Sequence, residues 1–213
     1  MPTGRDVAQS MIRRAEARDL DALLAVCRDS FEFSARWQGP RRVAARWWHA
    51  ALASPAVEVW ICQHRQHVAG LCVLVIDEIA WLGQKHDRRV RVRDFLGLLL
   101  RCPRLALAET LRKLRERVRP TPAEPDRVAV PDPPDRVWLE MLAVSSAHRG
   151  QGLARQMLDF CRTRALQLGR RAIVLRVETE NQPARRLYET DGYTFVRTFG
   201  NGCIYVAPVK QPT

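Results

Sequence analysis

The sequence predicts an α/β (α+β) fold with a mixed, mostly antiparallel sheet flanked by helices, and three observations support this prediction. Residues 137–144 are apolar apart from one carboxylate, as in a buried strand, and they lead through a short turn into residues 153–168, whose apolar side chains recur at helical spacing. Two pairs of strand-like segments are joined by short turns: 57–63 with 68–76, and 193–199 with 204–209. The length of 213 residues fits a single domain, residues 1–213, with a sizeable core.

The remaining elements follow from local signals. Residues 11–16 predict a first strand, and Asp19 is the predicted N-cap of a helix that ends near Ser30. Residues 43–52 predict a second helix, and the central helix ends where Gly169 is expected to act as the C-cap glycine. Two further elements precede the last hairpin: a strand at 172–177 and a helix at 183–191 that begins with proline.

A long insertion, residues 79–136, separates the third strand from the fourth, and a segment of this length requires structure of its own. Residues 95–100 predict a short helix, and residues 107–118 predict an amphipathic helix with an apolar stripe surrounded by basic side chains. Residues 120–135 carry six prolines and predict an extended linker. Three interpretations stay open: a helical hairpin packed on the domain or on a second subunit, a substrate lid or acidic-partner patch, and an interfacial membrane helix.

The formal net charge of +12 raises the question of a nucleic-acid or membrane partner. Residues 84–120 hold twelve Lys/Arg against four Asp/Glu, so most of the excess is local and the rest of the chain is close to balanced. We therefore expect no nucleic-acid partner, while peripheral membrane contact and a homodimer contact remain open through the basic insertion. Without an apolar run long enough to span a bilayer or an N-terminal signal-like segment, the expected location is cytoplasmic.

Metal and disulfide chemistry are not indicated. The six cysteines are scattered without paired spacing, and most lie in apolar runs, so we interpret them as small buried hydrophobic residues. The histidines show no metal-ligand spacing either.

An anion-binding sequence connects the strand at 137–144 to the central helix. Gly150 and Gly152 allow close approach of the backbone to a ligand, and the first helical turn offers N–H groups that attract anionic oxygens. Arg149 and Arg155 add positive charge at the same end. The sequence contains neither GxxxxGK[ST] nor GxGxxG, which excludes the two most familiar phosphate-binding loops. From these residues alone, the segment either holds a pyrophosphate or forms a tight turn that binds no ligand.

The motif R-x-x-G-x-A at 149–154 resembles the Q/R-x-x-G-x-G/A signature of the GNAT superfamily of acetyl-CoA-dependent N-acetyltransferases. Residues 181–193 resemble the second motif of that family, N-x-x-A-x-x-L-Y-x-x-x-G-F/Y. The resemblance covers residues 137–199 strongly and 11–78 in outline. It implies a GNAT-like fold with a helical insertion between the third and fourth strands, and acetyl-CoA as the acyl donor, with no metal.

The resemblance also implies a set of cofactor-binding residues. Backbone amides of the fourth strand would bond the thioester carbonyl and the pantetheine arm, the glycine turn would hold the pyrophosphate, and Asn181 would contact the pantetheine or cap the following helix. The residues so assigned are Leu142, Ala143, Val144, Arg149, Gly150, Gln151, Gly152, Leu153, Ala154, Arg155 and Asn181.

Two residues are candidates for the chemistry of acetyl transfer. Glu140, a carboxylate inside an apolar strand, must be desolvated or paired; it would help to deprotonate the amine, or it is a structural carboxylate paired with an arginine such as Arg176. Tyr188 coincides with the tyrosine of the second family motif and would protonate the leaving thiolate, or it is a core tyrosine. His148 lies in the phosphate turn and is not expected to act as a base.

The function expected from these features is an N-acetyltransferase that moves an acetyl group from acetyl-CoA to a small-molecule or peptide amine by direct attack in a ternary complex. The alternative is a non-catalytic acyl-CoA-binding module whose basic insertion docks an acidic protein, nucleic acid or membrane. A longer acyl chain on the donor also stays open. The acceptor would be selected by the loop at 31–41, Trp81, the insertion and the last hairpin. The positive insertion weakly favours an anionic or nucleotide-linked acceptor.

Overall fold

The computed structural model describes residues 10–31, 34–65, 67–84, 103, 104, 107, 111, 129–132 and 135–209. The strands are β1 (Ser10–Arg14), β2 (Val57–His64), β3 (His67–Val75), β4 (Arg136–Val144), β5 (Ala172–Glu178), β6 (Thr194–Phe199) and β7 (Gly202–Pro208). The helices with residue ranges are α1 (Leu20–Ser30), α2 (Ala35–Gln38), α3 (Arg41–Ala53), α4 (Glu78–Gln84), α5 (Leu153–Gln167) and α6 (Gln182–Thr190).

The described strands form one seven-stranded sheet in the order β1-β2-β3-β4-β5-β7-β6. The pairing of β4 with β5 is parallel, because α5 connects them as a crossover, and the other described pairs are antiparallel. The predicted mixed, mostly antiparallel sheet flanked by helices is therefore confirmed.

The two faces of the sheet carry separate apolar clusters. The first, the α3 cluster, includes the buried side chains of Trp48, Leu23 and Ile61, and the second, the α5 cluster, includes those of Met157 and Ile173. Successive strand residues point to opposite faces, so alternate residues of the central strands contribute to alternate clusters. Because both faces are covered, the central strands are apolar on both sides, as the sequence of the fourth strand predicts.

Glu140 lies at a β-bulge in β4. Leu139 pairs with Leu74 and Met141 pairs with Val73, which leaves Glu140 as an extra residue opposite β3. Before the bulge, Leu139 belongs to the α5 cluster, whereas after it Met141 belongs to the α3 cluster. One extra residue exchanges the faces of a strand and turns its side chain out of the regular ladder. The bulge therefore places the only carboxylate of β4 where the strand changes face.

The parallel pairing of β4 with β5 stops at Leu139 and Leu175, although β4 continues to Val144 and β5 to Glu178. Over the same stretch β5 stays paired with β7, and β4 stays paired with β3. The two strands therefore separate at the residue before the bulge.

The predicted strands and helices are present to within about two residues, with four differences. Helix α2 lies within the segment 31–41, which was expected to be a loop. Helix α4 was not predicted; Asp77 accepts the Ala80 N–H at its start and Trp81 anchors it in the α3 cluster. Asp19 precedes α1, but its carboxylate accepts from Arg13 and from the Glu16 N–H, and it makes no cap bond to α1. The helices predicted at 95–100 and 107–118 lie outside the described residues except for positions 107 and 111, which are helical.

The predicted burial of cysteines is confirmed for the five that are described, all of which are free thiols: Cys27, Cys62, Cys72, Cys161 and Cys203. Cys102 lies outside the described residues. Across the ranges given above, none of the helices has the length and apolar character needed to cross a bilayer. No group of three or more potential metal ligands occurs among those same residues.

Candidate functional site

A cavity of about 670 Å³ lies where β4 and β5 separate. It brings together four of the residues predicted from the sequence: Glu140 and Leu142 on β4, Asn181 before α6, and Tyr188 on α6. The other lining residues are Ser30, Phe31, Ser34, Trp37, Leu139, Met141, Arg176, Val177, Glu178, Glu180, Pro183 and Ala184. Ala143 and Val144 do not line the cavity and continue β4 towards the glycine turn.

Glu140 is half-buried in the cavity wall. Arg176, its alternative partner in the sequence analysis, also lines the cavity, and its guanidinium donates to the Asn201 side chain and to the Phe199 carbonyl at 3.5 Å. An ideal Cβ on Gly202 would lie 2.6 Å from Arg176 Nε, so glycine at this position gives the guanidinium room to reach across β7. The positive charge of Arg176 is thereby held at the β6–β7 turn.

Tyr188 is 7% exposed and forms part of the cavity wall. Its ring packs against Tyr193 and Tyr205, with centroids 5.5 and 6.4 Å away. Within the described residues, its hydroxyl makes no hydrogen bond. Burial raises the pKa of Tyr188 above its usual value, so the phenol stays protonated across the neutral range. The cavity therefore contains a proton donor that the described protein groups do not engage.

Several hydrogen bonds fix α6, and with it Tyr188. Asn181 Oδ1 accepts the Ala184 N–H at 3.2 Å, which confirms its predicted place as the helix N-cap. The Tyr205 hydroxyl donates to Glu189 Oε1 at 2.6 Å and accepts from Arg185 Nε at 3.2 Å. Arg185 and Glu189 of α6 are therefore both tied to Tyr205 of β7, which limits movement of the phenol between them.

The glycine turn has the geometry of an anion-binding site. Gly150 and Gly152 have φ angles of 75° and 82°, which residues with a Cβ rarely adopt. Gln156 is the first residue of α5 whose N–H finds a helical carbonyl, that of Gly152. Within the described residues, the six successive backbone N–H groups from Gly150 to Arg155 donate no hydrogen bond. This row of donors, with the helix dipole behind it, fits a pyrophosphate.

Two of the basic side chains near this turn contact the protein. Arg149 Nε donates to the Val144 carbonyl at 3.1 Å and Arg149 Nη2 to the Asp29 carbonyl at 3.4 Å. Arg155 Nη2 lies 3.4 Å from Thr190 Oγ1 on α6. Arg155 is exposed beside the first helical turn, so the predicted positive charge is present at this end of α5.

Asp29, which the sequence analysis did not identify, links α1 to the glycine turn. Its carboxylate accepts the Ser146 N–H and, at 2.9 Å, the Ser146 hydroxyl. The backbone hydrogen bond from Ser146 lowers the pKa of Asp29 below its usual value. Ser30 adds a hydrogen bond from its hydroxyl to the Val144 carbonyl at 3.2 Å. The C-terminal end of α1 is therefore attached to the strand and turn that form the candidate site.

The expected acceptor-selecting residues lie in different places. Phe31, Ser34 and Trp37 line the cavity, in agreement with the expectation for the loop at 31–41. Trp81 does not line it; its side chain is buried against Trp47, with ring centroids 5.9 Å apart, so the expectation for Trp81 was wrong. Glu178, the last residue of β5, also lines the cavity.

Two carboxylates outside the cavity form ion pairs with arginines and have a structural role. Glu78 pairs with both branches of the Arg136 guanidinium, at 2.8 and 2.9 Å. Glu58, which was not singled out from the sequence, is buried and accepts from Arg164 at 2.7 and 2.8 Å and from Trp60 Nε1 at 3.0 Å.

Comparison with known proteins agrees with this geometry. Residues 118–193 match the family model described as Acetyltransferase (GNAT) family. No curated protein is significantly similar to the chain in sequence.

Solved structures with the same fold include the PaiA N-acetyltransferase from Thermoplasma acidophilum in complex with coenzyme A, with a TM-score of 0.59, 11% identity, and coverage of 93% of this chain and 98% of that chain. The ribosomal-protein-S18-alanine N-acetyltransferase from Escherichia coli has a TM-score of 0.59 and 13% identity, with 96% of both chains covered. A spermidine N-acetyltransferase chimera from Vibrio cholerae has a TM-score of 0.58 and 14% identity, with 94% of this chain and 95% of that chain covered. At these identities the likeness shows the fold.

Proposed function

Since residues 118–193 belong to the GNAT acetyltransferase family and the chain has the fold of GNAT N-acetyltransferases, we propose that it transfers an acetyl group from acetyl-CoA to an amine by direct attack in a ternary complex. The observation that supports this most strongly is the cavity between β4 and β5, because Glu140 and Tyr188 both line it. The same strand that carries Glu140 runs on into the glycine turn, so one continuous segment supplies the base and the anion cradle.

The residues present fit coenzyme A. The unpaired N–H groups from Gly150 to Arg155 would hold the pyrophosphate, and the positive φ angles of Gly150 and Gly152 keep side chains away from it. Backbone groups of Leu142, Ala143 and Val144 would contact the pantetheine arm along the part of β4 that β5 leaves unpaired. Asn181, already the N-cap of α6, would border the same arm. The bound donor supplies the thioester carbonyl that the amine attacks.

The side chains of the cavity would handle the protons. An alkylamine with a pKa near 10 is mostly protonated at neutral pH, so one proton must leave the nitrogen before a new bond to the carbonyl carbon forms. Glu140 would accept that proton, directly or through water, and the second nitrogen proton, which is lost after the new carbon–nitrogen bond forms, would pass to solvent water. As the carbon–sulfur bond breaks, Tyr188 Oη would give a proton to the departing thiolate and regain one from solvent. Backbone donors of β4 would stabilise the negative charge on the carbonyl oxygen.

Release of coenzyme A thiol tests the proposal. Acetyl-CoA would be mixed with the protein alone and with a panel of small amines, amino sugars and peptides, and acetylated products identified by mass. Amine-dependent thiol release with a matching acetylated product is the expected result. Tight coenzyme A binding without transfer to any amine would instead favour a binding module, and thiol release with longer acyl donors alone would change the donor.

A further inference from the structure

Building on the proposed function, we infer that the acceptor is a diamine or polyamine: a molecule that presents one amine to the reacting end of the cavity and keeps a second positive charge elsewhere in it. The inference concerns the chemical class of the acceptor and is separate from whether transfer occurs.

The charges of the cavity wall favour a cation. Among the lining residues that the structure describes, Glu140, Glu178 and Glu180 are acidic and Arg176 is basic. The Arg176 guanidinium is drawn to the β6–β7 turn by Asn201 and by the Phe199 carbonyl. Three carboxylates and one displaced cation give the described part of the cavity wall a negative balance inside a chain of formal charge +12. The whole-chain charge would attract anions, so the local sign of this wall is opposite to the sign of the protein.

Glu178 and Glu180 are not needed for the proposed proton transfers. Glu140 would receive the proton of the attacking amine, whereas Glu178 and Glu180 lie at the end of β5 and just beyond it, exposed to solvent at the cavity. A monoamine loses its charge when it gives up a proton, and it then leaves both carboxylates without a cationic partner. A second ammonium group on the acceptor would supply that partner.

Two aromatic side chains complete a surface for such a molecule. Phe31 and Trp37 line the cavity, with ring centroids 6.4 Å apart, and Trp37 is 4% exposed. Aromatic faces attract ammonium groups and also pack against alkyl chains. In a diamine, the ammonium groups would pair with the carboxylates of the cavity wall, and the alkyl chain between them would pack against the aromatic rings.

Tyr188 gives an independent indication that a ligand belongs in this cavity. Its side chain is more than nine-tenths buried, lines the cavity, and has a hydroxyl without a hydrogen-bond partner in the described residues. A buried phenol usually has such a partner. The carboxylate pair therefore lies in the same cavity as a phenol whose hydroxyl no described protein group engages.

Taken by itself, the basic insertion weakly favours an anionic or nucleotide-linked acceptor. The lining residues favour the opposite sign, because an anionic acceptor would meet the carboxylates of Glu140, Glu178 and Glu180 at short range. The acceptor must contact the cavity wall, so the charge of the wall counts for more than the charge of the basic insertion.

Calorimetric binding to the coenzyme A-saturated protein tests the inference without requiring turnover. We expect 1,4-diaminobutane to bind about tenfold more tightly than n-butylamine at low salt, with the difference reduced at high salt. Equal affinity for the two amines, or tighter binding of glutamate than of the diamine, would overturn the inference.

Charge-removing variants locate the effect. Glu178→Gln and Glu180→Gln should each weaken diamine binding about threefold, and the double variant about tenfold, as for exposed ion pairs. The matched control is the double variant Asp21→Asn and Asp159→Asn, which removes the same charge from exposed side chains outside the cavity. Equal losses in the two double variants would refute a local role for Glu178 and Glu180.

The outcome also separates the inference from the proposed function. Diamine binding that depends on Glu178 and Glu180, without acetyl transfer to any amine, would show that the cavity binds diamines and would contradict the transferase proposal. Acetyl transfer with equal kcat/KM for the diamine and n-butylamine would support the transferase proposal and contradict the inference about the acceptor.

Discussion

Removing the hydroxyl of Tyr188 separates its chemical role from its structural role. In Tyr188→Phe the ring keeps its contacts with Tyr193 and Tyr205, and no hydrogen bond within the described residues is lost. The free energy of unfolding should therefore change by no more than about 0.5 kcal/mol. Turnover should fall, because the proposed proton donor to the thiolate is absent.

The expected fall in kcat is about 10²-fold, at the lower end of general-acid effects, because a thiol with a pKa near 8.5 can also leave as the anion. This corresponds to about 2.7 kcal/mol on the activation barrier. Burial raises the pKa of Tyr188 above its usual value near 10, so the wild-type protein should show no loss of rate from phenol ionisation below about pH 10.

Tyr193 provides a matched control on the adjoining ring. Within the part of the chain that the structure describes, its hydroxyl is buried without a hydrogen-bond partner, and Tyr193 is not among the residues that line the cavity. Tyr193→Phe should leave kcat unchanged and raise the free energy of unfolding by about 1 kcal/mol, because a buried unsatisfied polar group is removed.

The assay is steady-state thiol release at saturating acetyl-CoA, with chemical denaturation of the same three proteins. If Tyr188→Phe and Tyr193→Phe have the same kcat, the reasoning about Tyr188 is refuted. If Tyr188→Phe loses stability as well as turnover, the phenol has a structural partner and its assignment as an acid loses its basis.

Three other changes test separate parts of the site and fold. Glu140→Gln should lower kcat about 10²-fold at neutral pH with little change in the KM for acetyl-CoA; a wild-type kcat would leave Glu140 as a structural carboxylate. Gly152→Ala forces a residue with a Cβ to adopt a φ of 82° and should weaken coenzyme A binding about tenfold. Gly169→Ala is the control, because Gly169 has a φ of 68° at the other end of α5. Both variants should lose about 1–2 kcal/mol of stability, and Gly169→Ala should leave the affinity for coenzyme A unchanged. Burial acts to raise the pKa of Glu58, but hydrogen bonds from Arg164 and Trp60 outweigh it and the pKa is lowered. The stability that Glu58 contributes is therefore present above the unfolded pKa near 4.3 and is lost as the pH falls through the folded pKa. Glu58→Gln should cost about 3 kcal/mol of stability at neutral pH and flatten the fall of stability in acid, whereas an equal fall in acid for variant and wild type would contradict this.

The parts of the site that could be predicted from the sequence are local in the chain. The strand, glycine turn and helix from residue 136 to 169 follow one another without interruption, and each has its own signal: an apolar run, glycines that need positive φ, and helical periodicity. The C-cap at Gly169 was also predicted, and its N–H donates to the Leu166 carbonyl while that of Arg170 donates to the Ala165 carbonyl.

The contacts that the sequence did not predict join distant segments. Asp29 and Ser146 are 117 residues apart, and Glu58 and Arg164 are 106 residues apart, so no spacing rule connects them. Helix α4 has seven residues and is held by the burial of Trp81, which propensity over so short a window does not reveal.

The bulge at Glu140 depends on pairing with β3. A single charge within an apolar strand was its only local signal, and that charge indicated an unusual environment without indicating a change of face.

The most direct test of acetyl transfer at this site follows an isotope-labelled acetyl group from acetyl-CoA in the presence of 1,4-diaminobutane, with coenzyme A thiol counted in the same sample. The proposal predicts labelled N-acetyl product and free thiol in equal amounts, both strongly reduced in Tyr188→Phe and unchanged in Tyr193→Phe. Thiol release without labelled amine, across the diamine and the wider amine panel, would contradict it.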